Sequence, residues 1–271
     1  LFKLDYRSLI IIGSAVECIH AYSLIHDDLP CMDNDSVRRG KPATHIKYGE
    51  ASAVLAGSSL LTLAFEIISD KKYALNSKFK NEIISFLAKC SGHTGIAGGQ
   101  ELDLKFENKN KKLYQIIDMQ KKKTGKLFNF CLYAVGVVAN KSDKEKFFLS
   151  NLGEEIGLLF QLSDDFLDIK GSKKLTGKTV KKDYKKGKST LHNLMGDKKA
   201  YMYAFKLKKK KLTKALLSLG TRNLLLDIST KTAKKLCDSE ISKFKSYRYK
   251  ISYNKKILKN LIMSKNFVKR V

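Results

Sequence analysis

Apolar residues recur at spacings of three and four along most of this chain, the period of a helix with a buried face. Residues 9–26 (LIIIGSAVECIHAYSLIH), 49–69 (GEASAVLAGSSLLTLAFEIIS) and 147–169 (FFLSNLGEEIGLLFQLSDDFLDI) predict long helices buried on most sides. The only prolines, Pro30 and Pro42, lie close together, and Ala43 to Val271 has none, which favours helices throughout. Glycines at 40, 171, 177, 187 and 196 punctuate the pattern. Strand alternation with hairpin turns is missing, and no repeat of 20–50 residues is found. The expectation is an all-α protein with one domain over residues 1–271.

Composition sharpens this picture in two ways. With 43% hydrophobic and 10% aromatic residues in 271, the chain is neither disordered nor fibrous. No run of 18 uninterrupted apolar residues occurs, so no membrane insertion is expected. The apolar start, Leu1–Ile12, carries Lys3, Asp5 and Arg7 and does not read as a signal peptide. Five scattered cysteines (18, 31, 90, 131, 237) form neither a disulfide framework nor a metal-ligand spacing, and they fit a reducing, cytoplasmic location.

The net charge of +27 is unevenly spread. Residues 171–271 hold 30 Lys/Arg against 5 Asp/Glu, whereas 1–170 is close to balanced. Only six of the 53 basic residues are Arg, and base readers favour the Arg fork over the Lys point charge. A lysine bias at tolerant surface positions therefore explains the charge better than a nucleic-acid or anionic-membrane patch, and no nucleic-acid partner is expected.

Candidate chemistry lies in two acidic clusters. The first is His26-Asp27-Asp28-Leu29-Pro30-Cys31-Met32-Asp33-Asn34-Asp35, at the end of an apolar helix. In the second, Gln161, Asp164, Asp165 and Asp168 fall at i, i+3, i+4 and i+7, hence on one helix face. Acids near a helix C-terminus oppose the helix dipole, and like charges at i, i+4 repel. Such clusters are costly unless positive charge sits between them. Oxygen-only ligands suit Mg²⁺ or Mn²⁺, and Mg²⁺ is typically held by one or two carboxylates plus substrate phosphates. A phosphate or diphosphate ligand is implied. Candidate phosphate-binding cations follow each cluster: Arg38-Arg39, Lys121-Lys122-Lys123-Thr124-Gly125, Lys178 and Lys188.

The segment ECIHAYSLIHDDLPCMDNDSVRRGKPATHIKYGEASAVLAG, with GGQELDL, KKKTGKL and FQLSDDFLDI, resembles the bacterial and plastid trans-isoprenyl diphosphate synthases, from about Val16 to Thr190. The resemblance implies a helical bundle around a deep central cavity, usually a homodimer. It further implies Mg²⁺-dependent condensation (up to three ions per site, Mn²⁺ as a substitute) of an allylic diphosphate with isopentenyl diphosphate. By motif position, Asp27, Asp33 and Asp164 would be metal ligands. Asp28 and Asp168 would act through water or behind those ligands, and Asp165 completes the second catalytic motif. Arg38, Lys123, Thr124, Gln161, Lys178 and Lys188 match positions that hold the allylic diphosphate. His20 and Arg39 match positions that hold isopentenyl diphosphate.

The length of the product can be argued from the helix carrying Asp27. Tyr22 lies five residues earlier, about 7.5 Å deeper at ~1.5 Å per residue. A ring there would floor the cavity early, while Ser23 is small and leaves the upper cavity open. Farnesyl diphosphate is the expected product, with geranylgeranyl diphosphate as the alternative. The family's upstream Gly-Gly-Lys-Arg-x-Arg-Pro segment has no counterpart here, so the domain is expected to be N-terminally incomplete, which would impair the isopentenyl site. Residues 197–271 are expected to form divergent lysine-rich helices. A terpene cyclase, a non-catalytic dimerising relative and a nucleic-acid binder are the competing readings. The intact Asp164-Asp165-x-x-Asp168 motif argues against the cyclase.

Overall fold

The computed structural model describes residues 2, 4–73, 75–170 and 188–207. The long helices fall where the apolar period places them: α1 Tyr6–Asp27, α3 Glu50–Ser69 and α8 Asp143–Lys170. Between them stand α2 Thr44–Tyr48, α4 Ser77–Ser91, α5 Ile96–Phe106, α6 Leu113–Gln120 and α7 Lys126–Val138, followed by α9 Leu191–Met195 and α10 Asp197–Leu207. Local chemistry marks the starts. The Asp5 side chain accepts from Ser8 N at 2.9 Å ahead of α1. Ser142 and Glu145 bond reciprocally ahead of α8, each side chain taking the other's backbone N–H.

One feature departs from an all-helical reading. Val37–Arg38 and Lys41–Pro42 pair antiparallel as a short ribbon, β1 and β2, around a turn with positive φ at Arg39 and Gly40. Two-residue strands are too short to leave an alternating pattern, so periodicity does not reveal them. The ribbon directs Arg38 back toward the end of α1.

Two apolar cores hold the helices. The first joins α1, α3, α4 and α7 through Ile19, Ile68, Ile83, Leu87 and Phe130. The second joins α5, α6, α8, α9 and α10 through Ile116, Leu158, Leu162, Leu191 and Ala200. The α7–α8 and α1–α3 pairs are the most extensive packings. By length and composition α1 and α3 could each cross a membrane, although neither is an unbroken apolar run. In the fold they pack against each other. Only 33% of the apolar stretch of α1 and 22% of that of α3 is buried, so the expected burial on most sides is not met by these two helices.

Lys121–Gly125 departs from α-helical winding as a π-helical turn between α6 and α7. Such turns often occur at functional sites. Its neighbours press close: a Cβ on Gly99 would meet Lys123 N at 2.1 Å, and one on Gly157 would meet Gly125 Cα at 2.6 Å. Glycine at 99 and 157 thus lets α5 and α8 touch the turn backbone to backbone. Lys121 and Lys126 pin it to α8 through Glu154 and Glu155.

Candidate active site

The site forms where the C-terminal end of α1, the loop after it, α5, the π-turn, α8 and the segment leading into α9 meet. Asp27 is the last residue of α1 and Asp28 its cap. Backbone bonds fold the following loop back on that end, Asp33 N to Asp27 O at 2.8 Å and Asp35 N to Asp28 O at 3.1 Å. The first acidic cluster is therefore a compact knot.

Its members have different surroundings. Asp28 is almost fully buried and takes the Arg38 guanidinium through Nε at 3.0 and 3.1 Å and through Nη2 as well. Asp35 lies 3.9 Å from the same guanidinium. Asp27 is the electrostatically strained member. Burial pushes its carboxyl up to about 6, with Lys123 pulling down and Asp33 pushing up.

Two lysines enter from distant parts of the chain. Lys123 Nζ on the π-turn lies 2.6 Å from Asp103 Oδ2 and 3.9 Å from Asp33. Lys188 Nζ donates to Asp33 Oδ1 at 2.8 Å and to Asp103 Oδ2 at 2.9 Å. Burial opposes the charge on Asp103, yet the two lysines hold its carboxyl down at about 2. Burial likewise opposes the charge on Lys188, and Asp103 with Asp33 outweighs it and raises its pKa. The Lys188 segment is tied down by Ser189 Oγ, which donates to the carbonyls of Phe106 and Lys109.

The second acidic cluster connects to the first through the π-turn. Thr124 Oγ1 donates to Gln161 Oε1 at 2.6 Å, and Gln161 Nε2 donates to Asp165 Oδ1 at 2.8 Å. Gln120 Nε2 donates to the other Asp165 oxygen at 2.8 Å. Asp165 is thus buried and held by amides, Asp168 is half-buried, and Asp164 is exposed. The four residues of that helical stripe share a side without sharing an environment.

His20 and Arg39 meet as well, with Arg39 Nη2 3.4 Å from His20 Nε2. Tyr22 is buried in the first core, and its hydroxyl reaches toward the Ser91 carbonyl at 3.4 Å. Ser23 Oγ donates to the His20 carbonyl at 2.9 Å. Lys178 lies outside the described residues.

Asp103 and Gln100 carry features that the sequence reading left without a role. Asp103 anchors both lysines. Gln100 is buried one turn away on α5, with neither amide atom hydrogen-bonded. The signal was an acid and an amide embedded in the apolar Gly-Gly-Gln-Glu-Leu-Asp-Leu stretch. Among the described residues no group of three or more metal-binding side chains converges as a ready cage. Magnesium fits such a site, because it takes few carboxylates and completes its shell with water and phosphate oxygens. The donor set is all oxygen, with the buried Asp27 carboxyl beside Asp33.

Comparison with known proteins agrees with this architecture. The sequence model described as polyprenyl synthetase matches residues 2–241. The farnesyl diphosphate synthase of Micrococcus luteus is 43% identical over 184 residues, covering 68% of this chain and 62% of that protein. That of Escherichia coli K12 is 42% identical over 198 residues, covering 72% and 66%. The match thus spans less than two thirds of the length of these curated relatives. A Helicobacter pylori geranyltransferase, solved in complex with magnesium and isoprenyl diphosphate, superposes with TM-score 0.74 at 36% identity, covering 84% of this chain and 74% of that one. An FPP/GFPP synthase from Zymomonas mobilis gives TM-score 0.72 at 36% identity, covering 86% and 78%. With its two acidic rows joined through the Lys123–Thr124 turn, the chain belongs to the polyprenyl synthetase family.

Proposed function

We propose that this chain is a short-chain prenyltransferase that joins an allylic diphosphate to isopentenyl diphosphate, with farnesyl diphosphate as product. The observation that carries the reading is the meeting of Lys123 and Lys188, from separate segments, on Asp33 and Asp103. Cations gathered beside an acidic knot suit a ligand that is anionic and brings its own metal.

In this reading Asp27, Asp33 and Asp164 hold magnesium, which when bound supplies positive charge to the diphosphate leaving group. Lys123, Lys188, Thr124 and Gln161 grip the allylic diphosphate, with Lys178 and Arg38 assigned to the same task from the motif. Arg38 reaches it from a fixed position, since Asp28 holds its guanidinium. Charge accumulates on the diphosphate as the allylic C–O bond breaks, and donors preorganised around it stabilise that charge. His20 and Arg39 orient isopentenyl diphosphate, whose double bond supplies the electron pair for the new C–C bond. Loss of a proton from the adduct completes a product five carbons longer. The apolar residues lining α1 and α4 keep water from the cation. Tyr22, buried and aimed at α4, floors the space for the tail.

Incubation with Mg²⁺, geranyl diphosphate and isopentenyl diphosphate tests the reading, with the dephosphorylated product identified by mass. A C15 alcohol is expected, lost on chelation of Mg²⁺, and Tyr22→Ala should shift it to C20 or longer. A cyclised hydrocarbon, or a C15 product unchanged in Tyr22→Ala, would contradict it. Homodimerisation is part of the same proposal, supported by exposed Val54, Leu55 and Leu63 on α3.

A further inference from the structure

Lys188 occupies a position that conflicts with metal entry. Its ammonium sits between Asp33 and Asp103, at 2.8 and 2.9 Å, with the side chain only 9% exposed. Lys123 holds the other side of Asp103 at 2.6 Å and faces Asp33 at 3.9 Å. An ammonium at hydrogen-bond distance from a carboxylate fills the space a hydrated divalent ion needs. It also cancels the charge that would attract one. Mg²⁺ gives up its water reluctantly and gains little from a carboxylate already paired. A diphosphate alters that balance. It offers oxygen ligands to the metal, and its own charge competes for the lysine. Asp103 is buried and shared by the two lysines, which places it to keep the ammonium within reach.

We propose that Lys188 is a built-in counter-cation that makes divalent-ion binding at Asp33 conditional on a diphosphate, with Asp103 as the positioning residue that retains it. The inference rests on the reading of Asp33 as a metal-holding carboxylate. Its consequence is thermodynamic coupling: whatever factor pyrophosphate adds to metal affinity, the metal adds to pyrophosphate affinity.

The test is retention of Mn²⁺ by the protein in equilibrium dialysis, with and without inorganic pyrophosphate. Wild type should bind Mn²⁺ alone weakly. Lys188→Met should bind Mn²⁺ alone at least tenfold more tightly, with a smaller gain from pyrophosphate. Lys188→Arg keeps the charge and should remain weak. Wild type binding Mn²⁺ alone as tightly as Lys188→Met would overturn the proposal, as would Lys188→Arg matching Lys188→Met. Lys188→Gln serves as a second neutral variant where Lys188→Met does not fold. If pyrophosphate leaves wild-type Mn²⁺ retention unchanged, the diphosphate reading itself fails. If pyrophosphate promotes retention but neutral variants bind Mn²⁺ alone no better, only the counter-cation role fails.

Discussion

Asp27 and Asp28 are adjacent in sequence and opposite in character. Asp28 is buried against a guanidinium, whereas Asp27 faces the lysines and Asp33 and carries a raised carboxyl. Removing Arg38 would leave the Asp28 charge buried without its partner, at a cost of about 3–5 kcal/mol. Arg38→Met should therefore lower stability by that order in urea unfolding, quite apart from any loss of diphosphate binding. Asp27 gives a prediction in pH. Its carboxyl takes up a proton near pH 6 in the folded protein and near 4 when unfolded. The folded state therefore binds the extra proton between these values, and stability falls as pH rises from about 4 through 6. In the presence of a chelator the melting temperature at pH 5 should exceed that at pH 7.5 by more in wild type than in Asp27→Asn. Equal differences in the two proteins would show that Asp27 is not the strained group.

Among the described elements, the π-turn is a short one against which four helices pack, α5, α6, α7 and α8. Its winding is made possible by bare backbone at Gly99 and Gly157, and its charges are met by Glu154 and Glu155. A methyl group at Gly99 has only the backbone of Lys122 and Lys123 to push against. Gly99→Ala should cost about 1–3 kcal/mol by overpacking. It should also weaken pyrophosphate binding in the presence of Mn²⁺ about tenfold or more, because Lys123 and Thr124 move with the turn. Glycine in a helix ordinarily reads as a weak point, and Ala has the better intrinsic propensity. A more stable Gly99→Ala protein would mean that the close approach does not hold. The helices α1 and α3 were each more predictable, because their apolar residues recur at the helix period, whereas their pairing is a property of the fold.

For the molecule as a whole, the exposed apolar residues of α3 bear on self-association. Leu55 is 67% exposed, with Val54 and Leu63 also open to solvent on that helix. Leu55→Glu should convert a dimer to monomer in sedimentation velocity without lowering the melting temperature of the monomer. A wild-type protein that sediments as a monomer would remove the interface from the proposal.

The helical class, the spans of α1, α3 and α8 and both acidic clusters were legible in the chain, because a helix period and a run of aspartates are written between near neighbours. Residue chemistry also indicated that those acids need cations. Which cations they meet was a different matter. Lys188 and Asp33 are 155 positions apart, Lys188 and Asp103 are 85, and the lysine-rich chain holds many equivalent candidates. The packing of two cores around the π-turn selects among them, through glycine contacts and tethers such as Ser189 to Phe106 that no local pattern announces. Periodicity encodes which face of a helix turns inward; only the assembled backbone determines which charges converge there.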